Sequence, residues 1–155
     1  MPDPSRPKIA KTETEDNDDV RVIRHYHQNG QLVKELYFKW LTADRLVWHG
    51  KSTQWSSDGE LIGSFTMVEG TGISREWYDN GQICCEISMV DGKIMGLLKC
   101  WDEGGYLLAD KFYYGFKPIS KKKYRELQAN DPSVPHYPDE AFESITKKRK
   151  AIPNG

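Results

Sequence analysis

Apolar and polar residues alternate along the middle of the chain in short runs that glycine-containing turns separate. In the segment GISREWYDNGQI, residues 72–83, Trp77 precedes a polar stretch that contains Gly81, and apolar character returns at Ile83. Alternation with a period of two places successive side chains on opposite faces of a strand. A glycine between two such runs adopts a positive φ without steric cost, so the segment predicts a β-hairpin.

The same phrase recurs through the chain. Its template is a glycine, four residues, a tryptophan, three residues, a glycine, one residue and then leucine or isoleucine. A degenerate copy at the start has arginine in the first glycine position and tyrosine in the tryptophan position. A repeat of this length indicates an array of similar supersecondary units. The copies occupy residues 21–32, 50–61, 72–83 and 96–107.

The loop length fixes the predicted register of each hairpin. If residues 79–81 form a three-residue loop whose glycine has a positive φ, Trp77 lies opposite Ile83 and Arg75 lies opposite Cys85. A two-residue Asn-Gly turn would shift the pairing by one residue and would place the tryptophan opposite a different side chain. We adopt the first register, because it places tryptophan and isoleucine on one face.

Extending this register through the array predicts a single sheet with one apolar and one polar side. The predicted apolar side carries the aromatic row and the residues that share its face: Tyr26, Trp55, Trp77, Trp101, Arg24, Thr53, Arg75, Lys99, Leu32, Leu61, Ile83, Leu107, Leu36, Phe65, Ile87, Phe38, Met67 and Met89. The predicted polar side carries Gln54, Ser56, Glu76, Tyr78, Glu35, Ser64, Glu86 and Asp110. We interpret the tryptophans as the packing ladder of the sheet.

Three regions follow from the composition along the chain. Residues 1–19 are polar and acidic, and we predict that they form a disordered tail. The repeat array occupies residues 20–116. Residues 117–155 predict a helical cap, with Ser120 as its N-cap, that closes the open edge of the sheet. A second short helix after Pro138 and a flexible basic tail are predicted to follow.

Charge and composition exclude several classes of protein. The net charge of −1 and a pI near 6.4 argue against a surface built for nucleic acid. No apolar run is long enough to span a membrane, and the N-terminus has no apolar signal segment. Three cysteines give no disulfide framework, so we expect a reduced, cytoplasmic protein.

The repeated phrases HYHQNGQL, WSSDGEL, WYDNGQI and WDEGGYL, with MVEG and MVDG between them, resemble the variant MORN repeat. The chain looks most like the YwqK-type proteins described as antitoxin components. The resemblance implies an elongated, twisted antiparallel β-meander, so the expected fold class is mainly β with a short C-terminal helical cap. It also implies a protein-binding role. Two segments depart from the family pattern and are candidates for specificity: residues 33–48 and the C-terminal helical region.

The residues with reactive or metal-binding side chains do not form a recognisable site in the sequence. His25 and His27 share a strand face and supply at most half of a zinc site. Cys84 and Cys85 alternate faces on a regular strand, so we expect them to be small strand residues and not redox-active. No nucleophile elbow, HExxH motif or Walker loop is present. We expect no enzymatic activity, no cofactor and no metal ion.

The predicted polar face is the best candidate for a partner-binding surface, because acidic residues recur there beside exposed tyrosines. Such a surface would suit a basic protein partner, such as a toxin. The alternative is a structural repeat protein whose basic C-terminal tail binds anionic membrane lipid. The predicted partner-binding residues are Glu35, Tyr37, Glu76, Tyr78, Glu86, Asp102 and Asp110.

Overall fold

The computed structural model describes residues 6–143 and consists mainly of one antiparallel β-sheet. Its strands are β1 (Lys11–Asn17), β2 (Val20–Tyr26), β3 (Leu32–Thr42), β4 (Arg45–Trp48), β5 (Gly50–Trp55), β6 (Leu61–Val68), β7 (Thr71–Trp77), β8 (Ile83–Val90), β9 (Lys93–Trp101), β10 (Leu107–Tyr114) and β11 (Lys117–Ile119). The helix α1 (Lys121–Asn130) and a 3-10 helix (Asp139–Phe142) follow. The strands pair in chain order, except that β4 pairs beside β3 and outside the main path. The predicted fold class, a mainly β meander with a short C-terminal helix, is confirmed.

Each repeated phrase forms a hairpin with the predicted three-residue loop. In the hairpin of β7 and β8, the Tyr78 N–H donates to the Gln82 carbonyl over 2.8 Å, and Gly81 has a φ of +91°. The loop glycines of the other three hairpins also have positive φ. Trp77 lies opposite Ile83, which confirms the predicted register at the loop. The corresponding cross-strand pairs are Tyr26–Leu32, Trp55–Leu61 and Trp101–Leu107.

One residue beyond this pair, a β-bulge interrupts every hairpin. Cys85 pairs with Glu76, so Cys84 is an extra residue and Arg75 lies opposite Glu86. The same shift follows the loop in the other three hairpins. An extra residue exchanges the two faces of the returning strand. The predicted face assignment is therefore wrong beyond the bulge, because the alternation was counted without it.

The turns between hairpins stack on one another through glycine. Glu69 and Gly70 both have positive φ, as do Asp91 and Gly92. The Gly70 N–H donates to the Trp48 carbonyl over 2.8 Å, and the Gly92 N–H donates to the Gly70 carbonyl over 3.0 Å. A Cβ atom on Gly70 would lie 2.4 Å from the Gly92 nitrogen. This close approach of two backbones requires glycine.

The sequence predicts a disordered N-terminal tail, but Lys11–Asn17 form the edge strand β1. All seven residues of β1 are exposed, so the strand buries no apolar side chain. Backbone pairing with β2 and cross-strand contacts hold it: Arg21 binds Asp16 over 2.7 Å, and Arg24 binds Glu15 over 3.3 Å. A polar edge strand has no apolar signal in the sequence, which is why it was missed.

The C-terminal region caps a face of the sheet and does not cap its edge. Ser120 is the N-cap of α1, as predicted, and its Oγ accepts the Lys123 N–H over 3.1 Å. Tyr124 stacks on Phe112 of β10 with ring centroids 4.6 Å apart. The edge itself is occupied by β11, so the predicted edge-closing role of the helix is wrong. The core under the helix consists of Leu97, Phe112, Tyr124 and Val134.

Two further expectations concern the ends of the chain. The predicted second helix is a single 3-10 turn, Asp139–Phe142, within the described residues. The basic tail, together with residues 1–5, lies outside the described residues. Within residues 6–143, no helix has the length and apolar character needed to cross a membrane.

The stacked turns generate a stability prediction. We expect Gly70→Ala to destabilise the fold by clearly more than Gly30→Ala, because both glycines have a φ of +86° but only Gly70 adjoins another backbone. The positive φ alone costs about 1–2 kcal/mol, and the clash with Gly92 adds to this cost. Urea unfolding of both variants measures the difference, and equal losses would contradict the stacking argument.

Candidate functional site

The face that the sequence predicted to be acidic carries a row of alternating charges, called the charge row below. The bulge places Glu35, Glu86 and Asp110 each beside a basic residue on the same face. The Arg24 Nε donates to Glu35 over 2.8 Å. The Arg75 Nε donates to Glu86 over 2.8 Å. The cross-strand pairs of the charge row are Arg24–Glu35, Arg75–Glu86, Glu86–Lys99 and Lys99–Asp110, with Thr53–Ser64 as the neutral pair of the second hairpin.

The charge row is therefore balanced and not acidic. Asp110 is buried, with 6% of its surface exposed, and the Lys121 Nζ of α1 lies 3.2 Å from its carboxylate. The ammonium group also contacts the Glu143 carbonyl. The predicted acidic face is wrong for this reason, although Glu35, Glu86 and Asp110 do lie in one row as their spacing indicated.

The other predicted site residues mostly stabilise the fold. Tyr78 is 5% exposed, and its hydroxyl donates to the Trp101 carbonyl over 2.7 Å. The Asp102 carboxylate accepts the backbone N–H groups of Gly104 and Tyr106 inside its hairpin loop. The Tyr37 hydroxyl donates to Glu35 over 3.3 Å. Tyr78 and Asp110 are too buried to form part of an exposed contact surface. That the others contact a partner stays a prediction.

An apolar groove of about 300 Å³ lies next to the charge row, and the charge-row residues Thr53 and Arg75 are among the residues that line it. Leu36, Phe65 and Ile87 line it together. The sequence grouped these three residues correctly with one another but placed them on the face of Arg75, whereas Ile87 lies opposite Ser74. Trp48 and Trp77 form its walls, and the Trp48 and Phe65 ring centroids lie 5.3 Å apart. Of Leu36, Trp48, Phe65, Trp77 and Ile87, all but Phe65 are only partly buried, so the groove presents apolar surface to solvent. We call these five residues the apolar groove.

One glycine and one glutamine fix the position of Trp77. Its ring lies over Gly63, where an added Cβ would be 2.5 Å from the ring atom Cζ2. Across the same glycine, the Gln54 Nε2 donates to the Trp77 carbonyl over 2.7 Å, and the Trp77 N–H donates back to Oε1 over 3.2 Å. Gln54 is almost fully buried. The groove is therefore preformed by backbone-directed hydrogen bonds.

The segment that departs from the repeat pattern supplies the second wall. Residues 33–48 extend β3 and add the short strand β4, which pairs only with β3. This extension ends at Trp48, whose ring lies 4.4 Å from that of Phe38. A regular repeat would not place an aromatic ring here, so the irregular return of the first repeat shapes the groove.

Charged groups lie at one end of the groove. Glu76 contacts the Lys34 ammonium group and binds the Arg6 guanidinium over 2.7 Å. Arg6 also lies over the Tyr78 ring, 5.8 Å from its centroid. Burial opposes ionisation of Glu76. The positive charges of Lys34 and Arg6 outweigh this effect of burial, so the pKa of the carboxyl is lowered. Glu76 is the one predicted site residue that lines the groove.

Cys84 and Cys85 lie beside Glu76, and Cys100 lies next to Cys85. The Sγ atoms of Cys84 and Cys85 are 3.5 Å apart, and those of Cys85 and Cys100 are 3.2 Å apart. The expectation that Cys84 and Cys85 point to opposite faces is wrong, because Cys84 is the extra residue of the bulge. Burial raises the pKa of the Cys84 and Cys85 thiols to about 11. Both thiols are therefore protonated at neutral pH and are weak nucleophiles.

The predicted histidine pair does not contribute to this cluster. His25 Nδ1 lies 2.8 Å from the Thr12 hydroxyl on the edge strand. Among residues 6–143, the group of three potential metal ligands that lie within 4.8 Å of one another is Glu76, Cys84 and Cys85. The signal in the sequence is the vicinal cysteine pair that follows the loop of the third hairpin. It indicates this group only if a bulge is assumed there, because the bulge brings both thiols to one side.

The fold and the groove define a class of protein: an array of β-hairpins that carries a preformed apolar groove. Residues 22–39 and 71–91 match the family model of the MORN repeat variant, and these two segments coincide with the hairpins β2–β3 and β7–β8. The other two hairpins share the same loop and bulge. The repeat type that the sequence resembled is thereby confirmed, and it indicates a repeat-based binding module. The comparisons with curated proteins and with solved structures returned no match.

The ionic contacts of Glu76 generate a pH prediction. Because its pKa is lowered in the fold, ionised Glu76 stabilises the fold above its ordinary pKa of 4.5, and this contribution is lost as the pH falls through the lower folded value. We expect Glu76→Gln to destabilise the fold at pH 7 and to have a much smaller effect at low pH. Urea unfolding at both pH values tests this. The control is Glu60→Gln at an exposed hairpin loop, and a deficit that persists equally at low pH would contradict the prediction.

Proposed function

We propose that this chain is a non-enzymatic protein-binding module that acts as an antitoxin or immunity protein. The partner, a protein toxin, inserts apolar side chains into the apolar groove, and its active surface is occluded by the sheet. The observation that carries the proposal is the preformed groove, in which Gln54 and Gly63 hold Trp77 in place before any partner arrives. A preformed site binds without the entropic cost of ordering its own side chains.

The size and chemistry of the groove suit a protein partner. A volume of about 300 Å³ accommodates a few apolar side chains. Burial of one such side chain contributes roughly 1.5–3 kcal/mol. Aromatic residues at the centre of a contact surface are the usual source of interface affinity. Lys34, Arg75 and Glu76 line the same groove and provide both charges for polar groups of the partner.

The pairing within the charge row favours the apolar groove as the contact surface over the paired side chains of the charge row. Its carboxylates already bind basic residues, so a basic partner gains little net attraction there. The lipid-binding alternative rests on the basic tail, which lies outside residues 6–143.

Substitution in the groove tests the proposal. We expect Ile87→Gln to weaken binding by about tenfold or more, because a loss of 1.4 kcal/mol is tenfold in affinity. Leu108→Gln is the matched control, since Leu108 is 48% exposed and lies outside the groove. The tagged wild type and both variants are used to purify partners from native cells at physiological salt, followed by quantitative mass spectrometry. Circular dichroism verifies that the variants are folded.

A growth assay tests the antitoxin part separately. The partner that Ile87→Gln loses and Leu108→Gln retains is expressed alone and with each chain. We expect growth arrest that the wild type and Leu108→Gln relieve and that Ile87→Gln does not. A partner retained equally by all three chains would refute the groove as the binding site. A groove-dependent partner that is harmless when expressed alone would refute the antitoxin role and leave the binding role intact.

A further inference from the structure

The β-bulge of the third hairpin concentrates sulfur ligands at one point of the sheet. Cys84 and Cys85 are consecutive residues, yet their Sγ atoms are 3.5 Å apart on the same side of the sheet. Cys100 lies directly opposite Cys85 on the neighbouring strand β9, at an Sγ–Sγ distance of 3.2 Å. One carboxylate oxygen of Glu76 lies within 4.8 Å of both the Cys84 and the Cys85 sulfur. These are all the cysteines of the chain.

We propose that Cys84, Cys85, Cys100 and Glu76 form a binding site for a thiophilic divalent metal ion, Zn²⁺. Cys84, Cys85 and Glu76 form the compact part of the site, and Cys100 joins it from the neighbouring strand. Sulfur and carboxylate are ligands that zinc accepts, and four of them satisfy its tetrahedral preference. This inference is independent of the proposed toxin-binding function.

The distances within Glu76, Cys84 and Cys85 require only small side-chain movements, whereas Cys100, which is close to Cys85 alone, has to turn toward the ion. Zn–S bonds are about 2.3 Å long, so two sulfur ligands of one tetrahedral ion lie about 3.8 Å apart. The observed separations of 3.5 and 3.2 Å are shorter by a few tenths of an ångström. Rotation about the Cα–Cβ bonds spreads the thiols without moving the strands. The bulge is essential, because on a regular strand the two consecutive thiols would point to opposite faces.

The charges around the cluster balance a divalent ion. Three thiolates and the Glu76 carboxylate carry four negative charges, which the ion and the cations of Lys34 and Arg6 neutralise together. Both cations contact Glu76 directly. Zinc binds thiolate, so binding releases thiol protons and the affinity increases with pH.

Spectroscopic titration of the full-length, reduced chain tests the site. Cd²⁺ is the probe, because cadmium–thiolate coordination gives a charge-transfer absorption band that binding elsewhere does not, and competition with Zn²⁺ then gives the zinc affinity. We expect one ion per chain and a higher melting temperature of the bound form. Protons released on binding are measured in weakly buffered solution, and we expect release that accompanies the charge-transfer band.

Variants separate the proposed ligands from nearby residues. We expect Cys85→Ser to weaken binding by at least about a hundredfold, since loss of an outer-shell contact alone costs 10–100-fold. Cys100→Ser provides a second ligand variant if Cys85→Ser does not fold, and Glu76→Gln is expected to weaken binding as well. Glu60→Gln, the same change at an exposed loop, leaves binding unchanged.

Three results would overturn the proposal. The first is the absence of a charge-transfer band while a thiol assay shows three free cysteines. The second is ion binding that both Cys85→Ser and Cys100→Ser retain. The third is a reduced chain that, on exposure to air, forms a Cys85–Cys100 disulfide and takes up no ion before oxidation, which would identify the cluster as a redox pair.

Discussion

The β-bulge after each hairpin loop is the constraint on which the rest of the structure depends. It adds one residue to the returning strand, and every side chain beyond it changes face. Arg75 and Glu86 therefore share a face and neutralise each other. Cys84 and Cys85 likewise share a side of the sheet. One local irregularity, repeated four times, thus gathers paired charges on one face of the sheet.

The two ends of the hairpins are joined by different interactions. At the loop end, polar side chains link one hairpin to the next: the Asp79 carboxylate accepts the Ser57 N–H over 3.0 Å, and the Asn80 amide donates to the Glu103 carbonyl over 3.0 Å. At the turn end, backbone contacts through Gly70 and Gly92 do the same. A sheet held at both ends keeps the groove between them in a fixed shape, which favours binding without rearrangement.

The sequence predicted those features that depend on local chemistry. The loop glycine, the Trp77–Ile83 pair and the Ser120 N-cap each follow from a few neighbouring residues. The bulge could not be predicted, because an apolar and polar alternation does not reveal an unpaired residue. The edge strand β1 was missed because its stability comes from pairing with β2 and not from burial. The groove was missed in part because Trp48 reaches it only through the hairpin of β3 and β4.

The two outer strands determine how the array ends. All seven residues of β1 are polar and exposed, so its free edge offers no apolar surface to a second copy. At the far side, β11 contains Pro118, which has no backbone N–H to offer a further strand. A repeated hairpin is by nature able to continue from one molecule into the next. In the described part of the chain, the polar strand β1 and Pro118 of β11 disfavour that continuation.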